Sequence, residues 1–250
     1  MTMDSLPQRC VAEAIGTFAI VFFGCGSLVV LKSATHGDSH VAVNMAFGLV
    51  VAAMIYCFGH VSGAHFNPAV TLGLSTGGYF SWKDSFPYVL SQCSGAVLAS
   101  VLHFCFLGEA ATNAAFGATR STIAPAPTMV LEGVLTFFLV LVIAGSAIDQ
   151  RAPRGFAGLA IGFVVLVSGL FAGPITGNSL NPARSLAPAL MSGQLGAVWP
   201  YVFGPIMGGV LAVQTYKFMR APGVGHSGPN AASEDTNPGT SRRKTETVSK

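Results

Sequence analysis

Charge is what this sequence has least of. Only 9% of its 250 residues are Asp, Glu, Lys or Arg, where a soluble domain carries about 25%. That shortage excludes an ordinary soluble surface, and with 51% apolar residues it leaves an integral membrane protein. The formal charge of +3 gives no reason to expect nucleic acid as a partner. Cysteine is scarce too. Cys10, Cys25, Cys57, Cys93 and Cys105 are odd in number and lack metal-ligand spacing, and most sit in apolar runs where a free thiol acts as a small hydrophobe. No metal or other cofactor is expected. There is no Asn-x-Ser/Thr acceptor and no terminal lipidation motif. No cleavable signal is expected, because the first apolar run is long and carries Glu13. No nucleophile–base constellation is found, so an enzyme is not expected.

Long apolar runs are what the chain does have. Six of them, 10–31, 41–58, 86–107, 128–148, 156–173 and 199–219, approach or exceed the roughly 20 helical residues that cross a ~30 Å hydrocarbon layer. Between them lie polar or small-residue loops at 32–40, 79–85, 108–127 and 149–155. A short polar tail precedes them (1–9), and a tail rich in Gly, Pro, Ser, Asn and charge follows (220–250), which should be disordered. Two further stretches, 60–78 and 174–194, are too short and too rich in glycine to cross alone.

Each of those stretches holds the same three residues, Asn67-Pro68-Ala69 and Asn181-Pro182-Ala183. Asn is a favoured N-cap, Pro suits the first helical position and Ala is the best helix former. Each stretch therefore predicts a loop that becomes a half-helix at its asparagine. The chain also repeats itself. Glu13-(x)3-Thr17-Phe18 matches Glu132-(x)3-Thr136-Phe137, and Ala46, Gly48, Val50 and Val51 match Ala160, Gly162, Val164 and Val165 at an offset of 114 that Asn67 and Asn181 also keep. Three spans per repeat turn the halves over, so the fold expected is an all-α membrane protein: six transmembrane helices plus two re-entrant half-helices in an inverted 3+3 repeat. A half-helix of ~10 residues is ~15 Å long, so the two asparagines should meet near mid-membrane.

The basic residues give the orientation. Six spans put both termini on one side, with Arg9, Lys83, Arg151, Arg154, Lys217, Arg220, Arg242, Arg243, Lys244 and Lys250; the other side has Lys32 and Arg120, with Arg184 in the second re-entrant stretch. The termini are expected in the cytoplasm. Trp82, Trp199, Tyr79 and Tyr201 read as aromatics at the membrane interfaces.

Irregular backbone inside a bilayer survives only when it is buried in protein or lines a wet cavity. Two half-helix starts aimed at one spot each present about half a positive charge, which repels cations and protons. Asparagine caps acting through their oxygens leave the amide NH2 groups free to donate to a permeating water. Glu13 and Glu132 are acids within spans. They read either as proton carriers or as props that accept backbone N–H groups of the re-entrant loops, and the repeat symmetry favours props. His60 and His65 each read as pore-lining or as partners for loop carbonyls; the second reading is favoured for His60, and the two are even for His65. Arg242-Arg243-Lys244 reads as a solvated tail weakly attracted to anionic lipid.

These residues carry a resemblance. Over about residues 9–219 the chain is similar to the aquaporin, or major intrinsic protein, family. The matching motifs run from Gly59 to Thr71 and from Asn181 to Ser185, with Ala12-Glu13-(x)2-Gly16-Thr17 and Gln92-(x)2-Gly95-Ala96. The resemblance implies a passive channel domain over 10–219, with repeats at about 10–107 and 128–219, in the plasma membrane. It implies a homotetramer in membrane lipid, with one pore per subunit. It also implies a narrow filter at Phe47, Gly169, Asn178 and Arg184. Phe47 and Arg184 follow the family pattern. Gly169 resembles the glycine of glycerol-conducting members, Asn178 matches neither group, and Ser185 and Ala189 are as in water channels, while Val202 departs from them. Water is the expected permeant, joined by small neutral solutes such as glycerol, urea, ammonia or metalloid hydroxides, with ions and protons excluded. Three alternatives stand beside it: a broad neutral-solute channel of the glycerol-facilitator kind, a coupled transporter using Glu13 and Glu132, and a structural junction protein with a closed pore.

Overall fold

The computed structural model describes residues 4–34 and 40–220. All regular structure among the described residues is helical. The six spans are α1 (Leu6–Ser33), α2 (His40–Ser62), α4 (Trp82–Leu107), α5 (Pro125–Ile148), α6 (Ala157–Thr176) and α8 (Leu195–Met219), and each is long and apolar enough to cross a membrane. The half-helices are α3 (Pro68–Thr76) and α7 (Pro182–Ser192). The expected tail at 220–250 lies outside the described residues except for Arg220, as do residues 1–3 and 35–39.

Several helices run further than their apolar runs, because the ends are carried by polar contacts. α1 starts at Leu6 rather than at Cys10: Pro7 sits in its first turn and Gln8 Oε1 accepts the N–H of Ser5 at 2.7 Å. Arg9, assigned by the sequence to a tail, is helical and holds Asp84 of α4 at 2.8 Å. The 108–127 loop is partly helical, over Glu109–Asn113 and Ala115–Gly117. Of the four aromatics expected at the interfaces, Trp82 and Trp199 are exposed, but Tyr79 and Tyr201 are buried. Tyr201 is drawn inward because its hydroxyl donates to the Thr176 carbonyl at 2.7 Å.

The two halves interlock. α1 packs on α4 and α5 on α8, within each half; α2 packs on α6 across them. Each half-helix leans on the third span of the other half, α3 on α8 and α7 on α4. Lipid tails give no hydrophobic drive for such contacts, so the helices must approach closely. At the α2–α6 crossing a Cβ on Gly48 would stand 2.8 Å from the Gly162 carbonyl oxygen, and one on Gly162 would stand 2.6 Å from that of Gly48. α1 widens into a π-helical turn at Ile20–Cys25. The Phe47 ring fills the space beside Gly24 in that turn, where a Cβ would overlap it, and this contact fixes where Phe47 stands.

Candidate functional site

The loops before the half-helices are built alike. Ala64 and Phe66 take positive φ (52° and 50°), and so do Asn178 and Leu180 (46° and 58°). Left-handed conformations cost non-glycine residues on the order of 1 kcal/mol or more each. A buried carboxylate offsets that strain in each loop. Glu13 accepts from the N–H groups of His65 (2.9 Å) and Phe66 (2.6 Å), from Ser62 Oγ (2.7 Å) and from Gln92 Nε2 (2.7 Å). Glu132 accepts from the N–H groups of Ser179 (3.0 Å) and Leu180 (2.9 Å) and from Thr176 Oγ1 (2.7 Å). Both side chains are fully buried, and this geometry is that of loop props.

Each loop then turns into its half-helix at asparagine. Asn67 Oδ1 accepts the Ala69 N–H at 2.9 Å, and Asn181 Oδ1 accepts the Ala183 N–H at 3.0 Å. The tips touch. Asn67 Nδ2 donates to the Leu180 carbonyl at 2.8 Å, and Asn181 Nδ2 donates to the Phe66 carbonyl at 2.9 Å. Here the structure corrects the sequence-based expectation that the whole NH2 group stays free. One hydrogen of each amide is spent across the junction, which leaves the other for the cavity that both asparagines line.

That cavity has a volume of about 590 Å³. It opens on the side of the chain termini, between Tyr56, His60 and the 149–155 loop, passes Asn67 and Asn181, and reaches Phe47, Asn178 and Arg184. His60 is exposed at the mouth rather than tucked beneath a loop carbonyl. His65 lines the wall with its Nδ1 3.1 Å from Thr71 Oγ1 and its ring 4.6 Å from that of Phe80. At the far end the Arg184 guanidinium lies 4.9 Å over the Phe47 ring. Its Nη1 donates to the Gly117 carbonyl at 2.9 Å, while its buried Nε has no partner among the described residues.

The structure thus brings Phe47, Asn178 and Arg184 to one end of the cavity. Gly169 lies behind that wall: a Cβ there would overlap the Asn44 side chain and stand 3.2 Å from Asn178 Nδ2. With its amide turned to satisfy both atoms, Asn178 donates to the Ser168 carbonyl at 3.3 Å and accepts the Gly169 N–H at 3.1 Å. Sequence reasoning missed Gly117, whose carbonyl holds the arginine. The only signal was the run of small residues in the 108–127 loop. It also missed Asn44, whose one mark was being a polar residue in an apolar run.

The mouth is pinned by charge. Asp149 accepts from Arg151 Nε (2.9 Å), Nη2 (2.6 Å) and N–H (3.0 Å) and from the Tyr216 hydroxyl (2.7 Å), and Arg220 Nε stands 3.6 Å away. These donors, the Arg151 guanidinium first, hold the Asp149 carboxyl below the usual carboxylate range, and the same pairing raises Arg151. Among the described residues there is no group of His, Cys, Asp or Glu that could hold a metal.

Fold and site together define a six-span, inverted-repeat membrane protein whose two broken helices meet beside a largely apolar cavity with a few polar groups in its wall. The family model described as "Major intrinsic protein" matches residues 1–216. "Aquaporin NIP1-1" of Zea mays is 42% identical over 85% of this chain and 75% of its own length. "Aquaporin AqpM" of Methanothermobacter thermautotrophicus is 40% identical over 87% of this chain and 99% of its own. A solved structure, the aquaglyceroporin from Plasmodium falciparum, matches with a TM-score of 0.79 and 25% identity, covering 86% of this chain and 97% of that one. The chain therefore belongs to the major intrinsic protein, or aquaporin, family, whose members are multi-pass membrane channels and not enzymes.

Proposed function

We propose that this channel passes water and small uncharged solutes and excludes ions and protons. The observation that carries this is the junction of the half-helices. Two helix N-termini, capped by Asn67 and Asn181, meet tip to tip in the cavity wall. Their dipoles oppose cations, and the remaining amide hydrogens orient a passing water as an acceptor, which interrupts a proton wire. Arg184 adds a full positive charge at the constriction with Phe47 and Asn178, and Gly169 stands behind it. The printed name of the structural neighbour, an aquaglyceroporin, supports solutes of glycerol size beside water. The channel domain spans 10–219 as a homotetramer in the plasma membrane, with its termini in the cytoplasm.

A coupled transporter is disfavoured, because Glu13 and Glu132 spend their oxygens on loop N–H groups. A closed junction protein is disfavoured by the open volume that runs as far as Arg184. Stopped-flow light scattering on proteoliposomes, comparing water, glycerol, urea and ammonia, tests the proposal. Water flux with a low activation energy, unaffected by collapse of the potential and pH gradient, is expected. Flux that vanishes with the gradients overturns it.

A further inference from the structure

Gly169 removes a side chain from behind the wall that Phe47, Asn178 and Arg184 form, yet the space is occupied. The Asn44 carboxamide oxygen lies where a Cβ on residue 169 would be. One turn along, His40 fills the equivalent space beside Gly173, whose Cβ would stand 2.6 Å from the His40 ring. Two glycines one turn apart on α6 thus receive two polar side chains one turn apart on α2. The Asn44 amide is held in one orientation. Its Nδ2 donates to the His40 carbonyl at 2.8 Å and lies 3.1 Å from His40 Nδ1, and His40 Nε2 is 2.9 Å from the Leu170 carbonyl. With the nitrogen engaged on its own helix, the oxygen is turned toward Gly169 and Asn178 and accepts no bond from the described residues. Asn44 precedes Phe47 by three residues, about 4.5 Å along the helix, on the side away from the termini. Phe47 in turn carries the Arg184 guanidinium.

We propose that Asn44 is a further specificity-determining residue of this constriction, its carboxamide oxygen accepting a hydrogen bond from the N–H or O–H of a solute just before that solute reaches Arg184. The inference deepens the proposed function and rests on it. Arginine supplies donors alone and asparagine an acceptor, so the pair suits solutes that carry both kinds of group: small polyols and amides such as glycerol and urea. Gly169 then matters less as an empty space than as the position that admits the Asn44 side chain.

The test compares Asn44→Thr with Asn44→Val in full-length protein reconstituted into proteoliposomes. The two side chains have nearly the same shape, and only threonine keeps an acceptor oxygen; its hydroxyl can still donate to the His40 carbonyl. Glycerol and urea permeability, each divided by water permeability, is expected to be about fivefold lower in the valine variant than in the threonine variant, the worth of one net hydrogen bond. The activation energy for the solutes is expected to rise in valine alone. Equal ratios in the two variants overturn the role of Asn44 while leaving the channel proposal intact. A wild-type protein that passes water but neither solute overturns the Asn44 inference and the solute half of the proposal. If Asn44→Val does not reconstitute, Asn44→Leu against Asn44→Thr reads out the same ratio.

Discussion

The two re-entrant loops are copies in architecture and opposites in chemistry. Glu13 and Glu132 support them, Asn67 and Asn181 cap them, and the Tyr88 and Tyr201 hydroxyls brace the Ser62 and Thr176 carbonyls at 2.8 and 2.7 Å. At the offset of 114, however, Ala64 becomes Asn178, His65 becomes Ser179 and Val70 becomes Arg184. The scaffold is symmetric because both loops must satisfy the same strained backbone in the same medium. The lining differs because the matched positions meet different neighbours: Arg184 lies over the Phe47 ring, while Val70 packs into the apolar core. Burial acts on the scaffold equally in both halves.

Removing the props should have the largest effect. Glu13→Ala removes the acceptor of four donors and Glu132→Ala that of three, of which Gln92 keeps Thr71 and Thr176 keeps the Ala172 carbonyl, at about 1–3 kcal/mol for each buried group left unpaired. Both variants should melt well below wild type in detergent, Glu13→Ala more so; a smaller loss in Glu13→Ala breaks the view that Gln92 strengthens the first loop. Next comes Arg184→Val, which makes the second half resemble the first. A unit charge at 4 Å is worth about 4 kcal/mol at an effective dielectric of 20, so proton or cation leak should rise at least tenfold. An unchanged leak in a dye-loaded proteoliposome assay places the barrier at the asparagine junction alone.

The mouth gives a smaller, pH-dependent effect. Asp149 stays charged in the folded protein where an ordinary carboxylate, with a pKa of about 3.9, has taken up its proton. Below that range the folded state binds fewer protons than the unfolded one, so the stability Asp149 contributes is present above about pH 4 and declines as pH falls. Melting temperatures between pH 3 and 7 should show a shallower acid slope in Asp149→Asn than in wild type; identical slopes sink the Asp149 contribution. Tyr88→Phe and Tyr201→Phe should each lose about 1 kcal/mol, one hydrogen bond. Unequal losses in chemical denaturation show that the braces are less alike than their geometry.

Much of this fold is legible in sequence because a bilayer restricts it so strongly. Apolar runs must be helices, and matched Asn-Pro-Ala tripeptides among such runs can only be half-helix starts buried in protein or facing water. The acids at 13 and 132 stand out because an unpaired acid there is costly. What was not legible came from residues that meet only in space. Gly117 reads as one small residue in a loop of them, and its carbonyl matters only once that loop reaches Arg184. Asn44 looks like an isolated polar residue until α2 is laid against Gly169 of α6. Of the two readings of His60, the less favoured one holds: α2 continues through it to Ser62, and it lines the cavity.

By itself, then, the sequence determined the number of spans, their inversion and the two capped half-helices, since hydrophobic length, internal repetition and local helix-capping are properties of contiguous residues. Only the tertiary structure decided which carbonyls the junction amides engage, what holds the arginine and what fills the space beside Gly169. Those are contacts between chain segments about 65 to 125 residues apart, and their distances depend on how closely the helices cross.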